Sequence, residues 1–158
     1  MTIKRVEGIR YGVEDMPECI EFLEHWGLEK LESGEKGAEF KTPENQTISL
    51  RLKTDPVLPP TNEDGPTARE ITWGVDTKEA LDQLGRELAT DREVTDNGSE
   101  GLQTQDDSGN YFALRLADIK EDHQLEPQMN FHERITRTNE RHWPDEKVRP
   151  LRIGHVVY

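Results

Sequence analysis

Tyr11-Gly12-Val13-Glu14-Asp15 and Trp73-Gly74-Val75-Asp76 are two copies of one signal, about sixty residues apart. In each, an aromatic-Gly-Val strand end runs into an acidic residue able to cap a helix. Glu18 follows Asp15 by three residues and Glu79 follows Asp76 by three, the spacing of a capping box. Behind the first cap, Met16, Cys19, Ile20, Leu23 and Trp26 recur at helical spacing, and Gly27 stops the run. Behind the second, Ala80, Leu81, Leu84 and Leu88 form the apolar stripe.

The segments after the helices match as well. Residues 28–31, 37–41 and 47–52 read as three short strands, with turns at Ser33-Gly34 and Pro43-Glu44-Asn45. In the third, Ile48, Leu50 and Leu52 alternate with Ser49 and Arg51, as in a half-buried strand. Residues 93–95, 102–105 and 111–116 read the same way, with turns at Asp96-Asn97-Gly98 and Asp107-Ser108-Gly109-Asn110. Each half is therefore β-α-β-β-β, a tandem duplication. Residues 1–54 and 67–117 are the two units of one α+β module with a curved mixed sheet. Residues 55–66, with Pro56, Pro59, Pro60 and Pro66, are a linker between them.

Residues 118–150 are polar and carry Pro127, Pro144 and Pro150, with Phe131 and Trp143 scattered among them. They read as a connector leaning on the module, with one short helix over 133–140. Arg152-Ile153-Gly154-His155-Val156-Val157-Tyr158 then opens a β-strand, the first of a second module. A strand begun there without a downstream partner predicts a larger protein continuing past Tyr158. Arg5-Val6-Glu7-Gly8-Ile9 is a degraded form of the same cue, and it puts Gly8 where His155 stands.

Composition narrows the function. Charged residues make up 34% of 158 positions and hydrophobic ones 32%, but the apolar residues are patterned, which predicts a folded domain with polar loops. A net charge of −13 opposes nonspecific binding to nucleic acid or anionic membrane. Nothing resembles a spanning segment or a secretory signal, so the expected address is the cytoplasm. Asn45-Gln46-Thr47 and Asn97-Gly98-Ser99 match a glycosylation pattern and read as turns. Cys19 excludes an internal disulfide and reads as core filler on a helix. Asp106-Asp107 reads as a solvated turn pair. No phosphate loop, dinucleotide fingerprint or nucleophile elbow is present.

The doubled unit, the helix entry after Val-x-Asp and the Asp107-Ser108-Gly109-Asn110 turn before a last strand resemble the vicinal oxygen chelate superfamily. It includes glyoxalase I, bleomycin-resistance proteins and type I extradiol dioxygenases. The connector followed by Ile153-Gly154-His155-Val156-Val157 resembles the joint in two-module extradiol dioxygenases, whose first module is catalytically empty. The resemblance implies a cupped cavity, with His155 as the first metal ligand of a second module and the remaining ligands beyond Tyr158. It implies Fe(II) or Mn(II) in the intact protein, a small catechol-like aromatic substrate, the second module as partner, and a homo-oligomer. It implies no catalytic or cofactor residues within this chain.

By the same resemblance, ligand positions of the first module fall near Gly8, Ser49, Glu70 and Ala113, with Glu7, Arg10 and Arg115 one or two residues away. Glycine and alanine offer no donor, serine a poor one, and one carboxylate does not hold a transition metal. No metal is expected in residues 1–117. His25, His123, His132 and His142 lack ligand spacing. Two rival readings stand beside the dioxygenase module. One is a metal-free small-molecule binder of the bleomycin-resistance type, its cup lined by Tyr11, Phe40, Trp73 and Tyr111. The other is a module serving only assembly, with a filled cup.

Overall fold

The computed structural model describes residues 3–61, 63–120 and 150–157. Its elements are β1 (Ile3–Val13), α1 (Met16–His25), β2 (Glu29–Gly34), β3 (Gly37–Lys41), β4 (Thr47–Leu52), β5 (Thr67–Val75), α2 (Lys78–Leu88), β6 (Thr95–Asp96), β7 (Leu102–Gln105) and β8 (Tyr111–Leu116). The eight strands form one sheet in the order β2-β3-β4-β1-β5-β8-β7-β6. Within each unit the first strand pairs in parallel with the last, β1 with β4 and β5 with β8. The units join where β1 and β5 run antiparallel, so the order reads the same from either edge. The doubled β-α-β-β-β reading holds, with β3, β4, β7 and β8 at the expected bounds.

Strand alternation divides the sheet. Ala38 and Phe40, Ile48 and Leu50, and Val13 face α1, meeting Met16 and Leu23 in one apolar cluster. Val75 and Leu114 face α2, meeting Ala80 and Leu81 in a second. Val6, Ile9 and Ile71 form a third between them. Burying each such aliphatic or aromatic side chain stabilises the fold by about 1.5–3 kcal/mol. The opposite, cup-side rows are polar: Arg10, Ser49, Glu70, Thr72 and Arg115.

Asp15 caps α1 as expected, its carboxylate accepting from Glu18 N at 2.9 Å. The second cap is Thr77, not Asp76: Thr77 Oγ1 accepts from Ala80 N at 3.1 Å. Glu79 therefore precedes the N3 position and completes no capping box. Both caps stand two residues beyond the valine that ends the strand, and the Asp76 alignment was one residue short. β2 runs to Gly34, so its turn is Glu35-Lys36 rather than Ser33-Gly34; pairing with β3 carries the strand through. β6 is two residues long and starts at Thr95. The turn behind it tightens into a 3-10 turn at Gly98–Glu100. Gly101 then takes φ 103°, and a Cβ there would lie 2.3 Å from Leu114 O.

Residues 151–157 adopt no regular secondary structure, so the strand expected at 152–158 is not formed among the described residues. A strand exists by exchanging backbone hydrogen bonds with a neighbour, and among the described residues this segment has none from the sheet's strands. The helix expected over 133–140 lies outside the described residues. So do Phe131, Trp143, His123, His132 and His142.

The Asp106-Asp107 pair closes the β7–β8 turn. Asp106 accepts from Asn110 Nδ2 and from the backbone N–H groups of Asn110 and Ser108, at 3.1, 2.9 and 2.8 Å. The Asn110 side-chain bond, then the backbone bonds, hold the Asp106 carboxyl below its ordinary range. A depressed pKa stabilises the turn fully above the unfolded value and ceases to do so as pH falls through the folded one. Asp106→Ala should speed amide exchange at Ser108 and Asn110 about tenfold, and acidification through the lowered Asp106 carboxyl should reduce the protection factors of the same two amides, measured against the intrinsic rate at each pH. Unchanged exchange at both amides would refute this role.

Candidate functional site

The cup is bounded by Ile9 and Arg10 of β1, Glu39 of β3, Thr47 and Ser49 of β4, Glu70 and Thr72 of β5, Glu100, and Arg115 of β8. Of the four positions where the resemblance implies ligands, Ser49 and Glu70 reach it. Glu70 is 4% exposed and engaged: Arg10 Nη1 lies 3.3 Å from its Oε1, and Gln103 Nε2 donates to its Oε2. Arg10 Nη2 also reaches Glu100 at 2.7 Å on the rim. Arg115 Nη2 points at Glu7 O and Thr47 Oγ1, both at 3.4 Å.

Gly8 is packed against β4, and a Cβ there would lie 2.5 Å from Thr47 Oγ1. Ala113 is buried and offers no donor. Glu7, the one-residue slip from Gly8, is fully buried and spoken for. Arg5 grips it through Nε at 2.8 Å and Nη2 at 3.2 Å, and Asp118 N donates to Oε1 at 2.9 Å.

This donor set does not suit a divalent metal. Of its three carboxylates, Glu70 and Glu100 are both bonded to the Arg10 guanidinium, and a second guanidinium, that of Arg115, borders the cup. Among the described residues no group of three or more His, Cys, Asp or Glu is placed to hold a metal. The remaining space is about 70 Å³, roughly two waters' worth, whereas an apolar cavity that binds benzene measures about 150 Å³.

The aromatic residues expected in the cup are elsewhere. Tyr11 and Phe40 pack with the α1 cluster and Trp73 with the α2 cluster. Tyr111 borders a cleft of about 10 Å³ with Pro60 and Arg69. Burial pushes the Tyr11 hydroxyl pKa up. Cys19 is half-buried beside the α1 cluster, and burial, then Glu18 and Asp15, raise its thiol pKa, the reverse of an activated nucleophile. His25 is exposed, 3.9 Å from Glu21.

His155 is exposed and stands apart from the cup. It borders a cavity of about 350 Å³ on the helix-bearing face, with Tyr11, Trp26, Leu28, Ile48 and Ile153. Gln46 lies at the root of that face, is fully buried, and was read from sequence only as the middle of a turn. A buried polar residue beside a turn leaves no periodic signature. Its one sequence cue is an amide side chain entering an otherwise apolar-alternating strand.

Comparison with protein-family models gives no match, and comparison with curated proteins gives none. Solved structures do match, and the fold is one shared with a glyoxalase and with extradiol ring-cleaving dioxygenases. The chain is similar to the Mn(II)-bound glyoxalase from Novosphingobium aromaticivorans, at 20% identity over 78% of this chain and 42% of that one, TM-score 0.58. It is similar to the 2,3-dioxygenase LapB from Pseudomonas sp. KL28, at 18% identity over 75% and 42%, TM-score 0.57. It is also similar to homoprotocatechuate 2,3-dioxygenase from Brevibacterium fuscum, at 17% identity over 75% and 34%, TM-score 0.55. The chain thus spans less than half the length of each of these structures. Among the described residues no helix is long and apolar enough to cross a membrane.

Proposed function

We propose that this chain is the N-terminal, non-catalytic module of a longer, metal-dependent ring-cleaving dioxygenase of the extradiol type. The observation that carries the reading is the content of the cup: Arg10 and Gln103 hold the carboxylate of Glu70, where a working site would present it to a cation. The match to less than half of each similar structure supports a module rather than a whole enzyme. In this reading residues 1–117 supply structure, 118–150 connect, and 151–158 begin the second module. His155 is that module's first metal ligand, for Fe(II) or Mn(II). The second module is the partner, a catechol-like aromatic is the substrate, and the intact protein is a cytoplasmic homo-oligomer. One imidazole does not hold a metal alone, so the 158-residue chain has no turnover.

Titration of the chain with Mn(II) should show no site tighter than about 1 mM. Stoichiometric micromolar binding would sink the reading. So would a coding sequence without a second β-α-β-β-β repeat carrying downstream His and Glu.

The cavity of about 350 Å³ favours a second reading, a metal-free binder of small aromatic molecules. It places the ligand on the helix-bearing face, not in the cup. Saturable shifts of the Ile48 and Ile153 methyl resonances on adding catechol would support it. Unshifted methyl resonances at millimolar catechol would reject it.

A further inference from the structure

Gln46 touches a segment more than a hundred residues away through both ends of its amide. Its Oε1 accepts from Ile153 N at 2.7 Å, and its Nε2 donates to Ile153 O at 3.0 Å. The same Nε2 donates to Val6 O of β1 at 2.6 Å. The side chain thus stands where a neighbouring strand's peptide group would, exchanging N–H and C=O with one residue. Its own placement is fixed by Asn45, at φ 71°, and by Thr42 Oγ1, which accepts from Gln46 N at 3.1 Å. Glu44 N adds a bond to Leu151 O at 3.4 Å.

Apolar contacts agree with these bonds. Ile153 packs against the α1 cluster and the Val6–Ile9–Ile71 cluster, and Val156 against the latter. Arg152, Gly154 and His155 are exposed. A slip of one residue would present Arg152 or Gly154 to the apolar face and take Ile153 off it.

We propose that the helix-bearing face, centred on Gln46, is a docking site for an extended apolar segment, and that its occupant is residues 150–157 of this same chain. Gln46 is the positioning residue: it reads the backbone of Ile153 and so sets the register in which His155 is held outward. The docking stands on its own contacts. Only its consequence for His155 rests on the module reading above.

Amide exchange on the full 158-residue chain tests this. The Ile153 amide should exchange about tenfold more slowly than those of Gly154 and Val157. Gln46→Leu should bring it to their rate while Ile71 and Val75 stay protected. Ile153→Pro, which alters no residue of the module, should release the segment and raise exchange at Glu44, whose N–H bonds Leu151 O; it serves if Gln46→Leu fails to fold. An Ile153 amide as fast as Val157 in the unaltered chain, or unchanged in Gln46→Leu, overturns the proposal. So does unchanged exchange at Glu44 in Ile153→Pro. A coding sequence lacking a second module would sink the module reading and leave these rates as they are.

Discussion

Glu7→Ala should lower the unfolding free energy by about 3 kcal/mol, the lower end of the cost of breaking a buried ion pair. The Glu7 side chain is 0% exposed and that of Arg5 12%, and the two meet as a bidentate fork. Removing the carboxylate leaves the guanidinium with the carbonyls of Glu44 and Asp118, and with the Glu44 carboxylate at 3.8 Å. Those remaining partners keep the loss from the upper end of the range. The Asp118 N–H, which now donates to Glu7, would also lose its acceptor. Because Asp118 follows β8 and also accepts from Asn45 Nδ2 at 2.6 Å, the network ties the end of the second unit to the first. Chemical denaturation of Glu7→Ala, Arg5→Met and the double variant checks this. If the pair matters as a pair, the double variant loses less than the sum of the single ones. A Glu7→Ala loss under about 1 kcal/mol, the range of an exposed pair, would refute it.

Gly8→His, which would place an imidazole where the resemblance implies a ligand, should destabilise by about 1–3 kcal/mol and create no metal site. The new Cβ would lie 2.5 Å from Thr47 Oγ1 and 3.2 Å from Thr47 O, so β1 and β4 must move apart at their register pair. The cation on Arg10 would still hold Glu70. A lowered melting midpoint that Mn(II) does not restore is the expected result. An upward shift of that midpoint with Mn(II) would show that the donor was all the cup wanted.

Much of the fold was legible because alternation and capping are local. Ile48, Leu50 and Leu52 located β4, and Asp15 located the start of α1, to the residue. The second cap was misplaced because Asp76 and Thr77 are adjacent and both can accept. Only the backbone path leaving β5 chooses between them. Tyr11, Phe40 and Trp73 were assigned to the cup although their parity puts them with the residues that face the helices. Alternation says which residues share a face, but not which face becomes the cup. That depends on where α1 and α2 pack.

The sequence by itself determined a doubled β-α-β-β-β unit, because capping and alternation follow from residue type and short-range period. Only the tertiary structure decided what fills the cup and what secures the terminal segment. Arg10 meets Glu70 and Glu100 across three separate elements, and Gln46 meets Ile153 across 107 positions. Contacts between residues so distant carry no spacing to read, since they arise only when separate parts of the folded chain meet.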